Sequence, residues 1–242
     1  MISENDLEWL KWNYPGVYYV PTKGILQGCL WFKMNYSFLT GEGVINPPDE
    51  MNLENSLTLE DAYEITIEID SIKRKVIVRE IGGRIIRTKN KWKLSYADVH
   101  MYQDQTLCLC PEPEERLLFY TGFSLKHLFY DYLIPNLYYQ TYLNKHGKEP
   151  WKSSGHGEMG ILESYAKNKF SELNIDTIVN SYLESLAINL VNLVTSKRKI
   201  DHNLLCICDS GKMFRDCHPQ GFYGLRKLYE GYWIMKTGKS NK

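Results

Sequence analysis

The period of the hydrophobic pattern changes once along this chain, and that change most restricts the folds open to it. The run from Tyr63 to Ile69 alternates apolar and polar residues, which is typical of a strand with one buried and one solvated face. From Ser124 onward the apolar residues recur every three or four positions, which is typical of amphipathic helices. The sequence therefore predicts an α+β fold in which the strands precede most of the helices.

The predicted strands follow one another at short intervals. They lie at Val17–Val20, Ile25–Phe38, Tyr63–Ile69, Val76–Val78 and Arg84–Arg87. Because no helix separates them, we expect an antiparallel meander rather than parallel βαβ units. A helix capped by Ser3 is predicted before the strands. The segment from Ser37 to Leu57, which contains two prolines and two glycines, is predicted to be a loop.

Three helices are predicted after the strands. The first runs from about Ser124 to Leu143 with a bend at Pro135, the second covers Met159–Phe170, and the third covers Asp176–Val194. In the third, apolar residues spaced four, three, four and three form one stripe. We expect a main domain of residues 1–173, a linking helix of residues 174–200 and a C-terminal tail of residues 201–242.

Composition excludes several classes of protein. Of the 242 residues, 43% are hydrophobic, which is enough to build a core and argues against disorder. The 29 basic residues equal the 29 acidic ones, so we expect no nucleic-acid partner. No apolar run approaches the roughly 20 residues of a membrane helix, and the polar N-terminal segment does not resemble a secretory signal. We therefore expect a cytoplasmic protein with reduced thiols and no membrane partner.

Six cysteines in a reducing compartment are expected to be metal ligands or nucleophiles rather than disulfides. One group of candidate ligands falls within thirteen residues: Cys206, Cys208, Cys217 and His218. Three thiolates and one imidazole complete a tetrahedral Zn²⁺ shell, and a closed shell of four protein ligands is structural. Ser210 and Gly211 favour a turn between the ligand pairs. The Ser210 hydroxyl is predicted to cap the short helix that carries Cys217.

This stretch resembles the SEC-C motif, the zinc tail at the end of the translocation ATPase SecA and of many other bacterial proteins. The motif reads Cys-x-Cys-x-Ser-Gly and later Cys-His or Cys-Cys, and every element is present between Cys206 and His218. The resemblance implies one structural zinc ion. Such a tail either stabilises a chain end or docks on a partner. The aromatic and basic residues from Phe222 to Trp233 pack on the zinc module or form a docking face.

A second segment of interest runs from Asp98 to Leu109. It resembles the active-site segment of ubiquitin-conjugating enzymes, in which a thioester-forming Cys precedes a Leu. With Cys108 aligned on that cysteine, four upstream residues are of the matching type: Tyr102, Asp104, Thr106 and Leu107. The family's His-Pro-Asn triplet falls on residues 98–100 and is not kept, so that His100 stands at the position of the Asn. Gln105 replaces the glycine of the turn.

The resemblance extends over residues 1–170 and includes the run from Leu133 to Tyr138 and the Gly-His-Gly around His156. It points to diverged conjugating-enzyme-like proteins of bacterial antiviral and ubiquitin-like operons, among them the cyclic-oligonucleotide (CBASS) defence systems. The fold that it implies is an antiparallel sheet meander with flanking helices, as in ubiquitin-conjugating enzymes. A small helical and zinc-knuckle module follows it.

The activity that the resemblance implies is thioester exchange on Cys108. The thiolate would take the C-terminal carbonyl of a ubiquitin-like protein, or of a modified protein C-terminus, from an activating enzyme. An amine of a target protein would then attack the thioester; a cyclic-oligonucleotide synthase is one candidate target. Both steps pass through an oxyanion that needs a donor. His100 could supply it or act as a base, and His156, between two glycines, is a second candidate.

Several alternatives stay open. Cys110 could be the nucleophile or a resolving thiol. The fold could be inactive and serve, with the zinc tail, as an adaptor. Cys108 could also serve a cysteine hydrolase with His100 or His156, because transfer and hydrolysis share an acyl intermediate. Cys29 lies in a predicted strand and is expected in the core as a small buried hydrophobe.

Overall fold

In a computed structural model, the chain folds into two compact units. The first comprises Met1–Cys110 and Gly122–Ser153, and the second comprises Pro111–Thr121 and Ser154–Lys242. The structure describes residues 2–49, 51, 54–120, 122–152, 155–167 and 173–238. This division differs from the predicted boundaries at residues 173 and 200, because the second unit also takes in the predicted second helix and a short segment after Cys110.

Most of the strands precede most of the helices, but one helix lies between the last strand and Cys108. The helices are α1 Glu4–Asn13, α2 Arg84–Trp92, α3 Glu112–Leu117, α4 Leu125–His127, α5 Ile134–His146, α6 Gly157–Lys167, α7 Ile175–Leu183, α8 Ile188–Thr195, α9 Phe214–Cys217 and α10 Pro219–Thr237. The strands are β1 Val17–Val20, β2 Ile25–Ser37, β3 Gly43–Ile45, β4 Ser56–Asp70 and β5 Lys75–Glu80. The predicted α+β class, with an antiparallel sheet and flanking helices, is confirmed.

The first unit begins with α1, which has the predicted cap. The Asp6 N–H donates to the Ser3 hydroxyl at 3.1 Å, and the Ser3 N–H donates to the Asp6 carboxylate at 3.2 Å. This reciprocal pair satisfies two amides that a helix start otherwise leaves unpaired. The other oxygen of Asp6 accepts the N–H of Leu125 at 2.8 Å, which ties the start of α1 to the start of α4.

The sheet of the first unit has the order β1-β2-β4-β5, and β3 pairs with β2 on the edge that β1 also uses. All of these pairs are antiparallel. In β4 the side chains of Tyr63, Ile65 and Ile67 are buried, as the period-two pattern predicted. Strand β3 lies inside the segment Ser37–Leu57 that was predicted to be a loop, so that prediction is wrong for Gly43–Ile45.

The prediction of a strand at Arg84–Arg87 is also wrong, because these residues begin α2. The Glu80 carboxylate accepts the Ile85 N–H at 3.1 Å and thereby caps the helix start. Two neighbouring isoleucines between arginines fit either period. Tertiary contacts decide for the helix: the Arg84 guanidinium binds both oxygens of Asp61 on β4, at 2.8 and 2.7 Å.

Asp61 joins three elements of the first unit. Besides Arg84 of α2, its carboxylate accepts the Thr141 hydroxyl of α5 at 3.0 Å and the Ala62 N–H at 2.8 Å. Burial raises the pKa of the Asp61 carboxyl, but these hydrogen bonds outweigh burial and hold the pKa below its ordinary value. The ionised carboxylate therefore stabilises the packing of α2 and α5 on the sheet.

The predicted helix from Ser124 to Leu143 consists of α4, a π-helical turn at Leu128–Leu133 and α5. Pro135 lies in the first turn of α5. A proline lacks the N–H of a regular helix, and its ring clashes with the carbonyl four residues earlier. The wider π-helical turn before Pro135 accommodates this interruption. Helix α5 packs on β2 and β4 and buries Leu137 and Tyr138 completely.

In the second unit, α6 matches the predicted second helix up to Lys167, and the predicted end at Phe170 lies outside the described residues. The predicted single helix Asp176–Val194 is wrong, because α7 and α8 are separate. A turn at residues 184–187 divides them, and the Ala187 N–H there donates to the Glu158 carboxylate at 2.8 Å. The apolar spacing continues across the turn, which explains why periodicity did not reveal it.

The second unit has one hydrophobic core, formed by α6, α7, α8 and α10. Leu162 of α6, Val179 of α7, Leu190 of α8 and Leu225 of α10 are all fully buried in it. Phe214 and Cys206 of the metal-ligand segment belong to the same core. The predicted linking helix and the predicted zinc tail are therefore parts of one packed unit. No helix in the described part of the chain is long and apolar enough to cross a membrane.

Candidate metal centre and cysteine site

A tight reversal of the chain assembles the C-terminal cluster. The Cys206 N–H donates to the Lys212 carbonyl at 2.8 Å, and Leu205 pairs with Met213 as an isolated antiparallel bridge. At the tip of this reversal, Asp209 and Gly211 have φ values of 57° and 71°, which Gly and Asp tolerate better than most residues. The reversal brings the two cysteines before the turn next to α9.

The four predicted metal ligands come together at short distances. Cys206 Sγ lies 3.2 Å from His218 Nδ1, and Cys208 Sγ lies 3.6 Å from Cys217 Sγ. All four ligand atoms lie within 4.8 Å of one another. In a tetrahedral centre with metal–sulfur bonds of about 2.3 Å, neighbouring sulfurs are about 3.8 Å apart. The donor set and its spacing therefore fit one metal ion.

The thiols of the cluster differ in their environment. Burial raises the pKa of the Cys206 thiol to about 11, whereas hydrogen bonding by Ser210 lowers the pKa of the Cys208 thiol to about 6. A bound divalent cation would favour the thiolate form of all three cysteines.

The prediction that Ser210 caps the helix carrying Cys217 is wrong. Helix α9 follows Met213, and no side-chain cap is present among the described hydrogen bonds. The Ser210 hydroxyl instead lies 3.2 Å from Cys217 Sγ. A hydroxyl at this distance can donate to a ligand sulfur and so orient it. Ser210 therefore supports the ligand set rather than the helix start.

Cys108 directly follows a short extension of the sheet. Thr106 pairs with Arg79 of β5, and the Leu107 N–H donates to the Val78 carbonyl at 2.8 Å. On its other side, Leu107 pairs with Met101. Both residues of this second pair are buried, at 5% exposure for Met101 and 3% for Leu107. Cys108 therefore directly follows two isolated antiparallel bridges.

The same ladder brings His100 and Cys108 together. The Cys108 N–H donates to the His100 carbonyl at 2.8 Å, and the Tyr102 N–H donates to the Thr106 carbonyl at 2.8 Å. These bonds flank the bridge between Met101 and Leu107, and one of them joins the backbones of His100 and Cys108. Cys108 is half-buried, so its thiol has both solvent access and a structured surrounding.

The backbone around this site has two uncommon conformations. His100 has φ of 44°, and its ring meets the Tyr139 ring edge-on with centroids 4.8 Å apart. Gln105 has φ of 66°, the left-handed region that a glycine adopts easily. Asp104 accepts the Thr106 N–H at 3.0 Å and the Thr106 hydroxyl at 2.9 Å, and these bonds lower the pKa of Asp104. The turn therefore forms with Gln105 in the place of the expected glycine.

Three residues that the sequence did not single out contact this site from α5. Asn136 donates to the Cys108 carbonyl at 3.3 Å, Tyr139 to the Asp98 carbonyl at 3.0 Å and Gln140 to the Val99 carbonyl at 2.8 Å. The available signal was three donors on one face of a largely apolar helix, at spacings of three and four.

The remaining candidate residues lie elsewhere. His156 is exposed and belongs to the second unit, whereas His100 and Cys108 belong to the first. Cys110 is half-buried and ends the first segment of the first unit. The prediction that Cys29 is in the core is wrong, because its side chain is exposed. Its neighbour Leu30 takes the buried face of β2, and successive strand residues point to opposite faces.

Comparison with known proteins assigns no family. A scan of the chain against protein-family models finds no match, and searches of curated proteins and of solved structures find none either. The functional argument therefore rests on the two residue clusters and their geometry.

Proposed function

We propose that the first unit is a ubiquitin-conjugating-like domain that carries a ubiquitin-like protein, or a modified protein C-terminus, as a thioester on Cys108. The observation that supports this proposal is the backbone hydrogen bond from the Cys108 N–H to the His100 carbonyl, next to the bridges that extend the sheet beyond β5. A helix and an antiparallel meander precede the cysteine and α5 follows it, as expected of that fold, although α2 also lies between β5 and Cys108.

The proposed reaction has two acyl transfers. The Cys108 thiolate attacks the thioester carbonyl held by an activating enzyme, the new carbon–sulfur bond forms, and the enzyme's thiolate leaves. A target amine then attacks the new thioester, loses a proton, forms an amide and expels the Cys108 thiolate. In this proposal His100 donates to the oxyanion or accepts the amine's proton. A bacterial antiviral system of the CBASS type, with a cyclic-oligonucleotide synthase as the target, is the proposed setting.

We infer that the metal held by the second unit is Zn²⁺. Three thiolates and one imidazole are a soft donor set that zinc accepts in tetrahedral geometry, and four protein ligands leave no open position. Because Cys206 is buried in the same core as α6 and α7, the ion's role in this proposal is to stabilise the second unit. This is the role that the SEC-C resemblance implies.

The test of the proposed function is formation of a thioester. The protein is incubated with ATP and with the activating enzyme and ubiquitin-like protein encoded beside its gene, and the products are run on gels with and without reductant. We expect an adduct that reductant removes, that Cys108→Ala abolishes and that the matched variant Cys110→Ala retains. An adduct that persists in Cys108→Ala, or no adduct with these partners, would sink the proposal.

A non-catalytic adaptor is the second candidate. It is favoured by the loss of the family's His-Pro-Asn triplet, which is replaced by Asp98, Val99 and His100. An adaptor would bind the same partners without any reductant-sensitive adduct. A cysteine hydrolase that uses Cys108 with His100 or His156 differs in its product. It would release free partner protein from a preformed conjugate.

A further inference from the structure

One face of α5 holds both segments of the ladder that carries Cys108. Asn136, Tyr139 and Gln140 lie at positions i, i+3 and i+4, which places them on the same side of the helix. Their side chains donate to three backbone carbonyls, one at Cys108 and two in the segment immediately before His100.

These bonds act on the two groups that the proposed reaction needs. Asn136 binds the carbonyl of Cys108 itself, and Gln140 binds the carbonyl of Val99, which directly precedes His100. Tyr139 adds a second contact, because its ring also meets the His100 ring. The helix therefore contacts both segments, at Cys108 and immediately beside His100.

In each of the two amide side chains, the nitrogen donates a hydrogen bond but the oxygen has no partner among the described residues. Asn136 Oδ1 and Gln140 Oε1 are buried without a hydrogen-bond partner among the described residues. A buried acceptor without a partner destabilises a folded protein, whereas a buried leucine carries no such penalty. Gln140 is 1% exposed and Asn136 8% exposed, so solubility does not explain them. The donated bonds are the reason for amides at these two positions.

We propose that Asn136, Tyr139 and Gln140 are positioning residues of the acyl-transfer site: through the carbonyls of residues 98, 99 and 108 they hold His100 and Cys108 in reactive register. This inference rests on the proposed function of Cys108. The residues act through the backbone and do not touch the reacting atoms. Their loss should therefore slow acyl transfer without changing the accessibility of the thiol.

The experiment uses the full chain, saturated with Zn²⁺ and carrying Cys29→Ser and Cys110→Ala, so that other exposed thiols do not react. A synthetic peptide thioester of mercaptoethanesulfonate is the acyl donor. The Cys108 thiolate attacks the thioester carbonyl, the bond to mercaptoethanesulfonate breaks, and that thiol leaves. Intact mass spectrometry follows the peptidyl adduct. Alkylation of Cys108 by iodoacetamide is measured in parallel, because alkylation needs an exposed thiolate but no oxyanion donor.

We expect Asn136→Leu and Gln140→Met to slow acylation about tenfold or more, since small displacements of reacting groups have large effects on rate. Tyr139→Phe, which removes a single hydroxyl, should slow it less. Alkylation should stay within about twofold of the parent in all three. Tyr142→Phe is the matched control on the same helix, because the Tyr142 ring packs on Phe38 and His146, and it should acylate at the parent rate.

Two results would overturn the inference, and they differ from failure of the proposed function. Variants that acylate at the parent rate per folded molecule show that the donors do not position the site. Equal losses in acylation, alkylation and thermal stability show a structural role alone. If the parent protein forms no adduct on Cys108, the proposed function fails as well. Should the amide variants fail to fold, Tyr139→Phe decides.

Discussion

The packing of α10 on α6 allows a sharp test of whether the C-terminal tail, which contains the candidate metal ligands, folds as a separate module. Gly224 lies on the buried face of α10, and a β-carbon added there would be 1.8 Å from the Leu162 carbonyl oxygen. Ordinary van der Waals contact begins at 3.4 Å, so the helices would have to separate by about 1.6 Å. A backbone carbonyl inside a helix cannot rotate away, which leaves no local relief.

The magnitude follows from two opposed effects. Overpacking a rigid contact costs about 3 kcal/mol or more, at the upper end of the usual range. Replacing a glycine within a helix by alanine stabilises the helix by about 1 kcal/mol. We therefore expect Gly224→Ala to lower the free energy of unfolding of the second unit by about 2 kcal/mol. In a tail that folds by itself, the contact with Leu162 is missing. Gly224→Ala would then raise the free energy of unfolding by about 1 kcal/mol.

Gly221→Ala is the matched control on the same helix. Its added β-carbon would meet the Met159 sulfur at 2.5 Å, and that sulfur belongs to a flexible side chain that can move. Urea unfolding of the full chain, saturated with Zn²⁺ and followed by circular dichroism, measures both variants. If Gly224→Ala is as stable as the parent, or more stable, the packing of α10 on α6 is not as described.

Two further predictions concern the metal and one ion pair. Purified protein should contain about one equivalent of zinc, and zinc well below half an equivalent in properly prepared protein would refute the site. Chelation or Cys206→Ser should destabilise the second unit. Cys29→Ser, at an exposed cysteine, should leave its stability unchanged. Asp61→Asn should lower the free energy of unfolding by about 1–3 kcal/mol at pH 7, because a charge-assisted contact to Arg84 is lost. Since the folded-state pKa of Asp61 is depressed, this stability is present above the unfolded pKa of about 3.9 and is lost as pH falls through the folded value. The difference in the free energy of unfolding between Asp61→Asn and the parent should therefore disappear in acid. The control Asp49→Asn, at an exposed pair, should show no difference at either pH. A difference for Asp61→Asn that persists at low pH would contradict the proposed linkage.

Local patterns predicted the elements whose contacts are close in sequence. The Ser3 cap needs only Asp6, three residues away, and the metal cluster needs only a turn between two ligand pairs. The alternation in β4 reports burial directly, because each strand residue faces the side opposite to its neighbours. For such features the spacing of residue types is itself the structural information.

Other features depended on partners that are distant in the chain. Arg84 begins a helix because Asp61, 23 residues earlier, binds its guanidinium. The stripe from Val179 to Leu193 has the same period whether one helix or two form it, and the turn depends on Glu158 of α6. Cys29 and Leu30 are both apolar strand residues, and only the packing of α5 on β2 decides which of them is buried.

By itself, the sequence determined the α+β class, the antiparallel meander and the four residues of the candidate metal centre, because short-range hydrogen bonding and side-chain alternation dictate these features. Its resemblance to the active-site segment of ubiquitin-conjugating enzymes also identified Cys108 as a candidate nucleophile. The tertiary structure alone decided that the His100 carbonyl accepts the Cys108 N–H and that Asn136, Tyr139 and Gln140 donate to carbonyls of both segments. It also decided that the tail shares its core with α6. Those relations are between backbone carbonyls and side chains that only the folding of the chain brings into contact.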